Sequence, residues 1–279
     1  MTTLDGKTAL VTGSTDGVGR IVALKLGALG ARVLVHGRDR AHGDRTVAEI
    51  AAAGGKAEFL MADLSALIEV RALADAVRRR TERLAILINN AGIGSGTGGA
   101  ARRMSVDGYE LRFAVNYLAG FLLTRLLLPL VVKSAPARIV NVSSAGQQAI
   151  DFTDVMLTRN YSGGRAYCQS KLAQIMFTFD LAHELAGTGV AVNCLHPATY
   201  MDTRMVRQAG IKPTSSVEEG AQAILNLAAS PALEGRSGLY FNGLREARAH
   251  DQAYDVEARR RLQALSADLA GLATTTKGR

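Results

Sequence analysis

Tyr167 and Lys171 stand four residues apart in Tyr167-Cys168-Gln169-Ser170-Lys171, a spacing that puts both side chains on one face of a helix. A free phenol, with a pKa of about 10, is an idle acid at neutral pH. A lysine cation beside it favours the phenolate and brings proton transfer toward the useful range. By itself the pair carries little weight, because many tyrosines have a lysine at that distance by chance. Its meaning depends on what the rest of the chain positions around it.

Apolar, strand-like runs at residues 8–12, 32–36, 57–61, 84–89, 138–143, 190–195 and 238–241 alternate with amphipathic stretches. Those stretches cover 21–29, 41–53, 70–80, 106–132, 166–185 and 217–228. Continuous apolar strands between helices predict an α/β fold: one doubly wound, Rossmann-type sheet of seven parallel strands with helices on both faces. No linker splits residues 1–279, so a single domain is expected. The glycine-dense stretch 92–99 reads as a loop, segments at about 145–165 and 200–216 as loops on the substrate side, and residues 274–279 as a frayed end.

Composition excludes several classes. The 279 residues are 48% hydrophobic and 21% charged, which suits a globular protein and not a disordered one. The net charge of +8 is spread over scattered arginines without an aromatic ladder or any Trp, so a nucleic-acid partner is not expected. The longest apolar run, 117–132, contains Arg125 and Pro129, so no membrane span is expected. The first residues lack an apolar signal core, and a cytoplasmic location follows as the expectation. Cys168 and Cys194 are too few for a disulfide framework or a metal cluster.

Thr12-Gly13-Ser14-Thr15-Asp16-Gly17-Val18-Gly19 follows the first strand and opens the first helix, the context in which a glycine turn binds phosphate. Gly13 suits the tight turn, Gly17 a close approach of backbone to a diphosphate, and Gly19 close helix packing. Asp16 is read as the helix cap. The second strand runs into His36-Gly37-Arg38-Asp39. Arg38 would accommodate a 2′-phosphate, which favours NADP(H), while Asp39 leaves NAD(H) as the other choice. Asp63 and Leu64 end the third strand where an adenine would sit; Asn90, Ala91 and Gly92 end the fourth, where small residues admit a cofactor close to backbone.

Taken together these residues resemble the short-chain dehydrogenase/reductase family. The resemblance covers nearly the whole chain: the turn at 12–19, Asn89-Asn90-Ala91-Gly92, Asn116, the serine pair Ser143-Ser144, and Tyr167 with Lys171, all in order. It implies an NAD(P)(H)-dependent oxidoreductase in which Tyr167 is general acid and base and Ser144 hydrogen-bonds the substrate oxygen. Lys171 would tune Tyr167 and hold the nicotinamide ribose, and Asn116 would kink its helix and anchor a proton-relaying water. Pro197, Thr199 and Thr203 would cover the nicotinamide, with His196 a structural residue at the strand end. Twenty-two residues separate Ser144 from Tyr167, an insertion resembling that of the retinol-dehydrogenase subgroup and its bacterial relatives. This implies a small lipophilic alcohol, aldehyde or ketone, with Phe152, Met156, Leu157, Tyr161, Tyr200, Met201 and Met205 as candidate pocket residues. A homodimer or homotetramer through the helices at 106–132 and 166–185 is the family expectation. The alternatives are a reductase of an activated C=C bond and a non-catalytic NADP(H)-sensing module.

Overall fold

Parallel strands need crossovers, and this chain supplies a helix for nearly every one. The computed structural model describes residues 3–96 and 101–272. Part of the expected glycine-dense loop and the expected frayed end lie outside them. The order is β1 (Thr8–Val11), α1 (Gly17–Ala28), β2 (Arg32–Gly37), α2 (Arg40–Ala52), β3 (Lys56–Met61), α3 (Leu67–Arg80) and β4 (Ile86–Asn89). A π-helical turn, Phe113–Leu118, then runs into α4 (Ala119–Val132), followed by β5 (Ala137–Val142), α5 (Gly163–Glu184), β6 (Val190–His196) and the short α6 (Arg204–Gln208). Last come α7 (Val217–Ala229), β7 (Tyr240–Asn242), β8 (Arg245–Glu246) and α8 (Val256–Leu269).

The sheet order is β3-β2-β1-β4-β5-β6-β7-β8, so the chain reverses direction across the sheet between β1 and β4. A ligand cleft belongs outside the carboxyl ends of the strands at such a switch point. All seven expected strands are present and parallel. An eighth, the two-residue β8, adds an antiparallel edge against β7. It is too short for any periodicity to reveal.

Two buried apolar clusters, one on each face of the sheet, account for the near-continuous apolar strands. A chain of buried polar groups crosses one of them. Asn89 Nδ2 donates to Thr124 Oγ1 and Asn141 Oδ1, at 2.9 and 2.8 Å, and Asn141 Nδ2 donates to Thr178 Oγ1 at 2.8 Å. These bonds tie β4 and β5 to α4 and α5. Each net bond is worth only about 1 kcal/mol, but orphaning a buried partner costs more, so the chain specifies one packing.

Two expectations are corrected by the structure. The stretch 106–132 becomes helical only at Leu111, because Gly108 takes a left-handed φ of 81° in a tight turn closed by a Met104–Glu110 bridge. The segment 200–216 contains α6, whose first turn is capped by the Thr203 hydroxyl. The Arg259-Arg260-Arg261 run lies on α8, whose single buried stripe is Ala258, Leu262 and Ser266.

That last helix matters for the faces of α4 and α5. Tyr117 and Ser266 share a 2.7 Å hydroxyl–hydroxyl hydrogen bond, and Arg259 pairs with Asp180 at 2.8 Å. Beneath them Tyr117, Phe121 and Phe177 pack with ring centroids 5.1 to 6.5 Å apart. Pairing of two copies through this part of the surface would require displacing α8. The stretch Phe113–Val132 has the length and apolarity of a membrane span, with a mean hydropathy of 1.8, but 56% of it is buried within the fold.

Candidate active site

The cleft begins at the turn between β1 and α1. Gly13 and Gly17 have φ values of 64° and 52°, a region that L side chains avoid, and a Cβ on Gly13 would lie 2.9 Å from Ala91 Cα. Gly19 is equally constrained, since a Cβ there would strike the Gly13 carbonyl and the Asn90 amide. Asp16 caps α1 by accepting from the Gly17 N–H at 2.7 Å. Among the described residues, the Val18 and Gly19 N–H groups make no hydrogen bond to backbone outside the helix, so the positive end of α1 retains donors for an anion. The turn therefore fits a dinucleotide diphosphate. A cavity of about 1020 Å³ opens beside it, between Asp16, Gly17 and Arg20 on one side and residues 202–208 on the other. Its lining does not include Tyr167.

Several residues expected at the cofactor also build the cradle around it. Ser14 is fully buried: its hydroxyl donates to Val11 O at 2.7 Å and accepts from the His36 N–H, while its N–H bonds His36 O. Ser14 is thus turned away from the cleft, because β1 and β2 consume its polar groups. Asn90 Nδ2 donates to the carbonyls of Thr12 and Gly13 at 2.9 and 3.0 Å, which locks the turn to the end of β4. Thr12 Oγ1 completes the lock by accepting the N–H groups of Asn90 and Ala91. Thr15 packs against Gly37, where any side chain would collide with it.

At the adenosine end Arg38 is 68% exposed, with its guanidinium 3.9 Å from Asp63. Asp63 also accepts the Ser65 N–H at 2.9 Å, and Leu64 is buried beneath it. Asp39 faces the helix it starts: its carboxylate accepts the His42 N–H at 3.0 Å, the bond that chiefly holds its pKa below the usual carboxylate range.

The reacting end is assembled from β5, α5 and the π-helical turn. Ser143 is structural, donating its hydroxyl to Lys171 O at 2.7 Å. Ser144 Oγ accepts the Gly146 N–H at 3.0 Å, so its own proton is free to point elsewhere. Ser144 Oγ and the Tyr167 ring border the same space, 3.5 and 3.8 Å from where a Gly146 Cβ would stand. Burial pushes the Tyr167 pKa up, and the Ser144 bond pulls it back. Lys171 Nζ is 5.8 Å from the Tyr167 ring centroid and donates to Val142 O and to Gln174 Oε1, each at 2.9 Å. Its burial lowers its pKa to about 7. The sequence suggests a lysine cation that pulls the phenol down; in the folded protein, desolvation acts first on both groups.

Asn116 sits within the π-helical turn, a distortion found frequently at functional sites. Its amide bonds both backbone groups of Ile93, accepting at 2.7 Å and donating at 3.1 Å, and also donates to Ser170 Oγ. A Cβ on Gly92 would lie 3.3 Å from Asn116 Oδ1 and 3.5 Å from Lys171 Nζ, so these two polar atoms line the space that Gly92 leaves open.

This geometry has a family counterpart. A match to the short chain dehydrogenase family covers residues 7–213. The chain belongs to the short-chain dehydrogenases. It is 38% identical to retinol dehydrogenase 13 of Mus musculus over 296 residues, covering 97% of this chain and 86% of that one. Among solved structures it is similar to the Pseudomonas aeruginosa RhlG/NADP active-site complex, with a TM-score of 0.69 and 31% identity over 86% of this chain and 95% of that one. It is also similar to the 3-ketoacyl-(acyl-carrier-protein) reductase of Brucella melitensis complexed with NADH, with a TM-score of 0.70 and 26% identity over 86% and 97%. The protein is a dehydrogenase/reductase that acts on CH–OH or C=O groups with a nicotinamide cofactor.

The remaining candidates of this short-chain dehydrogenase divide into two groups. Thr203 Cγ2 is 3.4 Å from where a Gly17 Cβ would stand, and Met205 crosses over Gly94, so α6 bridges the cleft. Thr199 Oγ1 bonds His196 Nε2 at 3.0 Å, with Pro197 between them at the end of β6. Tyr200 and Met205 stay exposed, and a partly buried Met201 packs against Gly220. Within the insertion, Leu157 is buried, Met156 Sδ accepts the Glu110 N–H, Arg261 covers the Phe152 ring, and the Tyr161 hydroxyl meets Glu110. Those four pack the insertion against the rest of the fold. Gln174 and Thr12 join the site through their side-chain bonds, and the helical i,i+3 spacing of Gln174 from Lys171 is the sequence signal for the first of them.

Proposed function

We propose that the protein is an NADP(H)-preferring oxidoreductase of lipophilic alcohols, aldehydes or ketones, with Tyr167 as general acid in reduction and general base in oxidation. The observation that carries this reading is the Ser144 hydroxyl. The Gly146 N–H holds its oxygen at 3.0 Å beside the Tyr167 phenol, so Ser144 can donate to the substrate oxygen that Tyr167 protonates. The bound nicotinamide supplies or accepts the hydride. Lys171, brought by burial to a pKa of about 7, exchanges a proton at neutral pH and is placed one helical turn from the phenol it serves.

Two observations favour NADP(H). Arg38 projects into solvent at the end of β2, and Asp39, the acidic residue that would favour NAD(H), is committed to capping α2. The substrate class is supported by the similarity to retinol dehydrogenase 13 and by exposed Tyr200 and Met205 at the cleft. The test is steady-state reduction of retinal and of linear aldehydes of increasing length, with NADPH and NADH in parallel. Tyr167→Phe is expected to abolish turnover while leaving NADPH binding within about twofold. Retained turnover in that variant would remove Tyr167 from the mechanism. A saturated carbonyl product from an enal, with the aldehyde intact, would favour C=C reduction instead.

A further inference from the structure

Arg112 and Glu110 are an ion pair with no surface role: their side chains are only 8% and 1% exposed. A buried guanidinium is costly unless its nitrogens find partners, and here all three do. Nε donates to Gly94 O at 2.9 Å, Nη2 to Ser95 O at 2.7 Å, and Nη1 to the Tyr161 hydroxyl at 2.6 Å. Tyr161 passes its own proton toward Glu110 Oε1 at 3.2 Å, which also lies 3.5 Å from Arg112 Nη1. Glu110 Oε2 accepts the Phe113 N–H at 2.7 Å, where the π-helical turn begins.

Two side chains four residues apart thus hold three successive carbonyls of the loop after β4. Asn116 takes that of Ile93, and Arg112 takes those of Gly94 and Ser95. The same loop is a stop for α5. Gly163, the first residue of that helix, packs so closely that a Cβ would strike Ser95 O and stand 3.1 Å from Arg112 Nη2. Tyr167 lies one turn further along this rigid helix, and Lys171 one turn beyond that. Tyr161, two residues before the start of α5, is drawn inward just after Asn160, whose φ of 50° turns the chain.

We propose that Arg112, with Glu110 and Tyr161, is a positioning unit that fixes the first turn of α5, and with it the Tyr167 phenol, against the loop lining the nicotinamide side of the cleft. The effect on turnover rests on the proposed role of Tyr167; the effect on the position of Tyr167 does not. Arg112 touches neither substrate nor reacting atoms, so its loss should lower kcat and leave cofactor affinity nearly unchanged.

The test uses full-length Tyr161→Phe, Arg112→Met and Arg112→Ala variants, each checked for cooperative unfolding. Expected are an at least tenfold fall in kcat for both Arg112 variants, a smaller one for Tyr161→Phe, NADPH affinity within about twofold, and a displaced pH profile of kcat. In Arg112→Ala, millimolar guanidinium should restore turnover severalfold, a rescue that a merely destabilised fold would not show. A readout independent of turnover is fluorine NMR of protein carrying 3-fluorotyrosine, with the Tyr167 resonance identified by its loss in Tyr167→Phe. Arg112→Met is expected to move that resonance and its titration midpoint. A folded Arg112→Met protein with an unmoved Tyr167 resonance and midpoint overturns the proposal, whatever the enzyme's substrate proves to be. Loss of turnover in Arg112→Ala that guanidinium fails to restore, beside an unmoved resonance, overturns it equally. Turnover surviving in Tyr167→Phe would instead count against the proposed mechanism, leaving the resonance to decide the positioning role.

Discussion

Lys171→Met is expected to raise stability at neutral pH and to abolish activity, because the native fold keeps a lysine where a charge is expensive. Lys171 is 5% exposed, and burial lowers its pKa from 10.5 to about 7. That interval corresponds to about 5 kcal/mol of disfavoured charge. Its sign follows from proton counts. Between pH 7 and 10.5 the unfolded chain holds a proton that the native lysine has released, so stability rises with pH across this window. Below pH 7 both states are protonated and the full cost is present. From pH 7 to 9 the wild type should gain about 2 kcal/mol from this group, approaching about 1.4 kcal/mol per pH unit at the upper end. Urea denaturation of both proteins at pH 7, 8 and 9 measures the difference. Subtraction cancels the contributions of other groups: His36, at about 4, acts below this window, and Cys194, raised from 9.0 to about 12, acts above it. Met leaves the Val142 carbonyl and Gln174 amide without their donor, which offsets part of the gain at pH 7 but does not alter the slope. Parallel stability–pH curves for the two proteins would refute the reasoning.

Three further outcomes are expected. Arg38→Ala should weaken NADPH binding at least tenfold and change NADH binding little, as read by fluorescence titration, since the exposed guanidinium is the cation offered at the end of β2. Ser144→Ala should lower kcat by about two to three orders of magnitude with little change in melting temperature, because a donor to developing charge is lost and Ser143 keeps the structural bond. Asn116→Ala should cost roughly 2–4 kcal/mol in urea denaturation, since Ile93 loses partners for both its N–H and its carbonyl.

Tyr167 and Lys171 needed only helical spacing to be paired, and the glycine turn needed only its place between a strand and a helix. The parallel strands were legible because the central ones, β1, β4 and β6, are buried on both faces and the others keep apolar cores of their own. Elements with one thin buried stripe were harder to read. In α8, three buried residues lie among arginines, and β8 has two residues and no period at all. Side-chain bonding to distant backbone was the least legible. Nothing local in Arg112 distinguishes a surface cation from one that holds Gly94, Ser95 and Tyr161, because those partners meet only when β4, the insertion and α5 converge. The same convergence turned Ser14 away from the cleft and Asn90 into a brace for the turn.

The sequence by itself determined the order of the parts and the chemistry they carry: a diphosphate turn, a serine, a tyrosine and a lysine along one α/β chain. Only the tertiary structure decided how those groups are charged and aimed. Protonation depends on how much water the fold removes, and burial brings Lys171 to about 7 while pushing the Tyr167 phenol up. Direction depends on which backbone groups are left to bond, and the Gly146 N–H leaves the Ser144 proton free beside Tyr167. Neither quantity exists in the chain until the strands and helices have closed around it.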